Sequence, residues 1–404
     1  MSRNACINRS ILSRRCLPLL LLPLVGGLHA AEGDALQWRV SQSLSYEDNL
    51  YRRASGVSAP EGRRDDTISV TSLGLSFDRE YSRQGLRANV GFSHAAYSVH
   101  DDLDYTAPDV SLAWDWRLGN HWSGTFSHAY AESLAGFEDV AGTDQVIRLR
   151  TRSAVSANYW WHPDWAVGLG VSRVRNRYQD NAKPASENDS QAVSANLTYR
   201  PATGNRVVFT LRQTDGRYPN RAAVAGSIRE YTQRDGRIAG EWRLTGALRL
   251  SGDVGFTERR YDLAPSRDFT GVTGRLAANW QPTAKTSVEL SWRREIGAEE
   301  DLVSNYAVTR VLRLAPRWAV TDKVSFGGFL ERSSRDYGGD PELGFDGLVP
   351  VRDDTSRRYG LTLSYQPIRA LSLSLGVQHQ RRNSDIASRE YEADSAWLSG
   401  TFVF

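Results

Sequence analysis

The chain has 404 residues, 24% of them charged, with 50 Lys and Arg against 47 Asp and Glu. Mean hydropathy is -0.48, and beyond the first thirty or so positions no apolar run approaches the roughly 18 residues of a helical membrane span, so helical spans are excluded. Only Lys183, Lys285 and Lys323 are lysines, and no basic nucleic-acid face is indicated.

Residues 1–31 read as a secretory leader. Arg3, Arg9, Arg14 and Arg15 precede an apolar run from Leu17 to Leu28, and small residues follow at Ala30 and Ala31, the order of a cleavable signal. Both cysteines, Cys6 and Cys16, fall inside it, so the expected mature chain, 32–404, is exported and cysteine-free, as suits passage through an oxidising periplasm. Without the four leader arginines the formal charge is about −1, so the basic balance belongs to the precursor.

From residue 36 onward the chain alternates apolar and polar positions in segments of strand length. Strands are expected near 36–46, 67–79, 85–99, 105–117, 122–133, 146–161, 165–178, 190–200, 205–215, 228–243, 246–260, 268–281, 285–296, 304–318, 323–336, 354–366, 370–382 and 391–404. Aromatic residues mark short turns at Trp116, Trp161, Tyr199, Trp242, Trp280, Trp318 and Tyr365, with an earlier equivalent at Phe77. They recur about every 38 to 47 residues, a spacing that a solenoid or propeller also shows. Each unit here holds only two long strands, one short turn and one longer polar loop, which is the unit of a transmembrane barrel. The fold expected is therefore all-β: an up-and-down antiparallel transmembrane barrel of about 18 strands, with 16 as the alternative count. Short periplasmic turns would lie at one end. Long extracellular loops, such as 47–66, 179–189 and 337–353, would lie at the other.

The last strand ends on Phe404. Counting back in twos gives Phe402, Gly400, Leu398 and Ala396 as the lipid face. An open apolar edge strand invites aggregation, whereas a closed barrel leaves no edge. The aromatic terminus also resembles the signal read by the bacterial barrel-assembly machinery.

Alternation assigns the lumen. Arg87, Arg117, Arg148, Arg150, Arg152, Arg212, Arg237, Arg249, Arg275, Arg293, Arg313 and Arg317 project inward, against fewer acids: Asp78, Asp115, Glu241, Asp253, Glu289 and Glu295. Guanidinium groups stay charged and offer a planar fork to carboxylates and hydroxyl-rich chains. The candidate substrate-binding residues are Arg148, Arg150, Arg152, Arg212, Arg237, Arg249, Arg275 and Arg293, with the uninterrupted run 148–152 foremost. The competing reading is that these arginines pair with acids and only brace the wall. Arg173, Arg175 and Arg177 share parity with lipid-facing Val167, Leu169 and Val171, so they are expected to meet lipopolysaccharide phosphates at the outer rim.

Catalysis is not expected. His94, His100, His121, His128, His162 and His379 form no nucleophile–base–acid set on one face. The acidic stretch His100-Asp-Asp-Leu-Asp-Tyr105 lacks the glycine and terminal glutamate of a calcium loop and reads as a solvated turn. No metal or cofactor site is expected.

Five stretches carry a family resemblance: Tyr46-Glu-Asp-Asn-Leu-Tyr-Arg52, Arg64-Asp-Asp-Thr-Ile68, Gly216-Arg-Tyr-Pro-Asn-Arg221, Arg267-Asp-Phe-Thr-Gly271 and Arg335-Asp-Tyr-Gly-Gly339. With the Gln-Pro turns they resemble the EpsL-type outer-membrane barrels of exopolysaccharide gene clusters. The resemblance implies export of a newly made polysaccharide across the outer membrane, in concert with periplasmic export or synthesis machinery. It supplies no catalytic residues. An uptake porin for small anions or oligosaccharides is the alternative function.

Overall fold

The computed structural model describes residues 35–59, 62–138, 142–221, 229–261, 268–298, 306–338 and 352–404. The leader 1–31 and most of loop 337–353 lie outside the described residues. Eighteen strands form one sheet. They are β1 Leu36–Glu47, β2 Asp66–Tyr81, β3 Gln84–Tyr97, β4 Tyr105–Leu118, β5 Trp122–Leu134, β6 Ile147–His162, β7 Trp165–Tyr178, β8 Asn188–Tyr199 and β9 Arg206–Arg217. The second half comprises β10 Glu230–Arg243, β11 Leu248–Arg260, β12 Phe269–Trp280, β13 Thr286–Ala298, β14 Tyr306–Ala319, β15 Val324–Gly338, β16 Asp353–Ile368, β17 Leu371–Ser384 and β18 Tyr391–Val403.

Every pairing is antiparallel between neighbours in sequence, and β18 closes the ring on β1 from Arg39↔Val403 to Glu47↔Ser395. Closure continues to the last residue. Trp38 N–H donates to Phe404 O at 2.7 Å, and Phe404 N–H donates to Trp38 O at 2.9 Å. Closure leaves no unpaired edge, which is what lets a sheet sit in lipid.

Directly opposed residues of antiparallel strands share a face, so the register carries one face assignment around the whole ring. Leu73, Phe92, Leu112, Val155, Leu169, Val193, Leu211, Ile238, Phe256, Leu276, Leu290, Leu312, Leu330, Leu361, Leu375 and Leu398 lie on the outer face and are exposed there. They form the apolar band that meets lipid. At its periplasmic edge stand Trp161, Trp242, Trp280, Trp318 and Tyr365, each also exposed. Ring pairs such as Trp165–Tyr199 (4.6 Å) and Trp318–Phe326 (6.4 Å) run along this girdle, as amphipathic rings at a membrane interface do.

Glycine is required where a ring crosses the neighbouring strand. On the lumen face Gly376 is paired with Trp397, and a Cβ on Gly376 would collide with the indole. Gly216 makes the same room for Tyr231.

Candidate functional site: the lumen and its two mouths

The register places every arginine expected in the lumen on the inner face. What differs among them is their company. Arg87 pairs with Asp115, Arg237 with Asp253 and with Asp235 (3.5 Å), and Arg249 with Glu241. Glu295 takes Arg275 at 2.7 Å and Arg293 at 3.4 Å. Arg237, Arg249, Arg275 and Arg293 thus carry the wall-bracing pairs that the competing reading anticipates.

Arg148, Arg150 and Arg152 stand one above another on the lumen face of β6, opposite Ser133, Ala131 and Ala129 of β5. On the β7 side they face Tyr178, Asn176 and Val174. Neither flank offers an acid, and among the described residues no carboxylate forms an ion pair with Arg150 or Arg152. Arg212 donates to Ser172 Oγ at 3.0 Å and likewise has no ion pair among the described residues. The same strand face continues downward through Ala154, Ser156 and Asn158 to Trp160. With about 6.7 Å between successive inward side chains, the ladder of three spans about 13 Å, and Trp160 lies some 27 Å below it.

The extracellular mouth is built by loops that turn inward. Ile68, Val70, Ala95, Tyr97 and Tyr105 face the lumen at the tops of β2, β3 and β4, and Leu50, Tyr51, Leu103 and Phe137 from three loops pack onto them. The loop residues are therefore inside the barrel. Asp66 holds two of these loops. It is almost fully buried and accepts from the backbone N–H of Ser98, Val99 and His100, and its Oδ2 lies 2.9 Å from His100 Nδ1. The stretch 100–105 is accordingly a packed turn. Asp101 and Asp102 are exposed, but His100 and Leu103 are buried, and Asp104 accepts from Tyr97 N–H at 2.7 Å.

The loop between β5 and β6 reaches across to β17. The backbone carbonyl of Glu138 receives both terminal nitrogens of Arg382 on β17, each at 2.9 Å, and Gln380 Nε2 lies 3.4 Å from Glu138 Oε2. Arg382 is 5% exposed. Its guanidinium lies over the Tyr391 ring and 3.8 Å from Asp354, which also holds Arg352 at 2.6 Å. Beneath this crossing is a charged chamber of about 200 Å³ lined by Glu138, Arg293, Glu331, Arg335, Arg358 and Arg382. Glu331 there binds both Arg313 (3.1 Å) and Arg358 (2.6 Å). No sequence signal marked this loop: it is shorter than 47–66 and has no repeat or motif of its own. Loop 47–66 enters the mouth through Leu50 and Tyr51.

The described residues of the five stretches that carry the family resemblance sit at strand ends on this side. Of their aromatics, Tyr51, Tyr218, Phe269 and Tyr337 are buried, whereas Tyr46 is exposed. Tyr218, Tyr231, Tyr261 and Phe269 form one cluster, with Arg221 over the Tyr218 ring at 3.7 Å and Arg259 over Tyr231 at 4.5 Å. Burial pushes the Tyr218 phenol above its usual range. These residues set the mouth's shape, and none of them is a lumen arginine of the ladder.

The periplasmic mouth holds the larger space, a cavity of about 920 Å³ whose wall includes Arg117, Asn158, Trp160, Thr198, Arg200 and Arg206. Tyr159 and Trp161 point outward into the girdle, and Trp160 between them points into the lumen. Its indole N–H donates to Ser123 Oγ at 2.8 Å, and the Arg200 guanidinium lies 4.4 Å from the ring centroid. In the sequence Trp160 is indistinct from its neighbours in the aromatic run Tyr159-Trp-Trp161. Parity alone singles it out.

Outside the lumen, Arg173, Arg175 and Arg217 surround the buried Asp189 at 2.5, 3.6 and 3.5 Å, and Arg177 lies 3.5 Å from Glu187. All four arginines are on the outer face above the apolar band. Among the described residues no group of histidines, cysteines and carboxylates has a metal-binding arrangement.

Solved structures share the architecture. Pseudomonas aeruginosa OccK2 (OpdF), in complex with glucuronate, aligns with a TM-score of 0.50 and 13% identity over 91% of this chain and 98% of that one. Acinetobacter baumannii OccAB3 aligns with a TM-score of 0.50 and 10% identity over 91% and 99%. Pseudomonas aeruginosa OccK9 (OpdG) gives 0.50 and 12% over 91% and 98%. At these identities the likeness is one of fold: a closed porin barrel. No curated protein matches the sequence. A family model does: the one described as "Putative beta-barrel porin 2" matches residues 36–402, from the first strand into the last, and the chain belongs to that family of outer-membrane porins.

Proposed function

We propose that this barrel is an anion-favouring uptake channel for small carboxylated solutes and acidic saccharides, and that it performs no chemistry of its own. The observation that carries this reading is the ladder Arg148, Arg150 and Arg152, because Arg150 and Arg152 have no carboxylate to pair with among the described residues. Such a face concentrates anions along the lumen and hands them from one fork to the next. The inward-folded loops support a small solute, since they narrow the mouth through which it enters. The resemblance of fold to a porin solved with glucuronate agrees with an acidic sugar as cargo. Swelling of proteoliposomes in isotonic glucuronate, compared with isotonic neutral sugar of equal size, tests the reading. Faster swelling in glucuronate is expected, and equal rates would refute it.

Export of an exopolysaccharide is the second reading. It is favoured by the stretches from Tyr46 and Arg64 onward that resemble the EpsL-type barrels, and it would require periplasmic export or synthesis partners. Deleting the gene and measuring secreted against periplasmic polymer separates the two readings: only the loss of an exporter traps polymer inside the cell. In either reading the outer rim arginines Arg173, Arg175 and Arg217 would hold lipopolysaccharide phosphates, and Phe404 would present the chain to the barrel-assembly machinery.

A further inference from the structure

We infer that the periplasmic mouth contains a saccharide-binding site centred on Trp160, selective for sugars bearing a carboxylate. The inference rests on the proposed passage of acidic sugars and adds to it a defined site at the end opposite the ladder's mouth. Lumen positions on β6 below the ladder are small or polar, namely Ala154, Ser156 and Asn158, until the chain places one large indole at 160. Apolar surface left in water is unfavourable, and ring surface of Trp160 beyond the Arg200 contact gains from a stacked ligand.

The ring is also held in one orientation. Its N–H is bound to Ser123 Oγ at 2.8 Å. Its backbone N–H donates to His121 O at 2.7 Å, and His121 Nδ1 lies 2.7 Å from Trp160 O. Arg200 covers the ring at 4.4 Å from the centroid. A ring pinned at its edge and braced by a cation is a preorganised platform, so little ordering cost remains when a ligand stacks on it.

The chemistry of the wall selects the ligand. The C–H face of a pyranose is apolar and flat, and it matches an indole face. The hydroxyls at the rim of the sugar need polar partners, which Asn158 and Thr198 in the same wall supply. Arg117, Arg200 and Arg206 have no ion pair among the described residues, and they offer charged forks to a ring carboxylate. The volume of about 920 Å³ accommodates more than one sugar ring. An aromatic acid could stack on the indole too, but it would leave the hydroxyl-bonding groups of the wall unused.

The test uses the full barrel in planar bilayers, with trigalacturonate, maltotriose or benzoate added on the periplasmic side and the dwell time of each current block recorded. Trigalacturonate is expected to block, with its dwell time reduced about tenfold in Trp160→Ala and largely retained in Trp160→Phe. Replacing Arg117 and Arg206 by Gln should shorten the trigalacturonate blocks and leave any maltotriose blocks unchanged. Heat-modifiable migration of each variant on a gel checks that the barrel is closed. Unchanged dwell times in Trp160→Ala would overturn the site, as would Trp160-dependent block by benzoate but not by trigalacturonate. The control Arg150→Ser with Arg152→Ser separates this inference from the proposed function: it should weaken anion preference while leaving the periplasmic dwell time intact.

Discussion

Replacing Arg382 by Ala should release the β5–β6 loop from the far wall and widen the extracellular mouth. The wild-type crossing rests on two charge-assisted bonds to the Glu138 carbonyl, both at 2.9 Å, with Gln380 adding a long contact at 3.4 Å. A hydrogen bond to a charged group contributes about 1.5–3 kcal/mol. The two share one acceptor and one guanidinium, so about 3 kcal/mol is a fair sum for the pair. That shifts the ratio of open to closed loop by roughly a hundredfold. A loop open less than 1% of the time would then be open for a substantial fraction of it. Asp354 keeps Arg352 at 2.6 Å, so the buried carboxylate is not left alone and the barrel should remain folded. Single-channel recording is the assay: Arg382→Ala should show higher mean conductance and new open-channel noise, and Arg382→Lys an intermediate trace. Identical conductance and noise in wild type and Arg382→Ala would refute the claim that this loop narrows the pore.

Asp66→Ala should loosen both loops at the mouth, because it strips the acceptor from the backbone N–H groups of Thr67, Ser98, Val99 and His100 and from the buried His100 ring. Breaking such a site costs on the order of 3–5 kcal/mol, and it should appear as rapid proteolysis within residues 48–65 while the barrel stays intact. Arg173→Ala together with Arg175→Ala removes two of the three guanidiniums around Asp189. Lipopolysaccharide copurifying with the barrel should fall several-fold, and phosphate analysis of the purified protein checks it. Deleting Phe404 removes both terminal closure bonds to Trp38 and the ring contact with Phe402 at 5.7 Å. Heat-modifiable barrel recovered from the outer membrane should decline, as read by gel mobility.

The strands were legible because the outer wall of a barrel in lipid is predominantly apolar. Outward side chains between the girdles are predominantly apolar here, and the alternation that follows located every strand to within two residues of its end. The same parity correctly separated Arg148, Arg150 and Arg152 from Arg173, Arg175 and Arg177, although all six lie on a single hairpin. What alternation cannot supply is the partner of a side chain across a ring. Arg249 and Arg152 look alike in sequence, yet one is bound to Glu241 and the other faces Val174 and Ala129. The reach of Glu138 to Arg382 joins residues 244 apart, a contact set by loop folding and by no local pattern. Trp160 was hidden for a third reason: aromatic runs at membrane interfaces are so common that the one ring turned inward draws no notice.

On the proposed function the lumen favours anions through Arg150 and Arg152 of β6, which have no ion pair among the described residues. The most direct test is the reversal potential of the purified channel across a tenfold gradient of potassium chloride, for wild type and for Arg150→Ser with Arg152→Ser. The expected potential has the sign given by chloride permeation in wild type and moves toward zero in the double variant. A cation-selective wild-type channel, or a potential that the double substitution leaves unmoved, would contradict it.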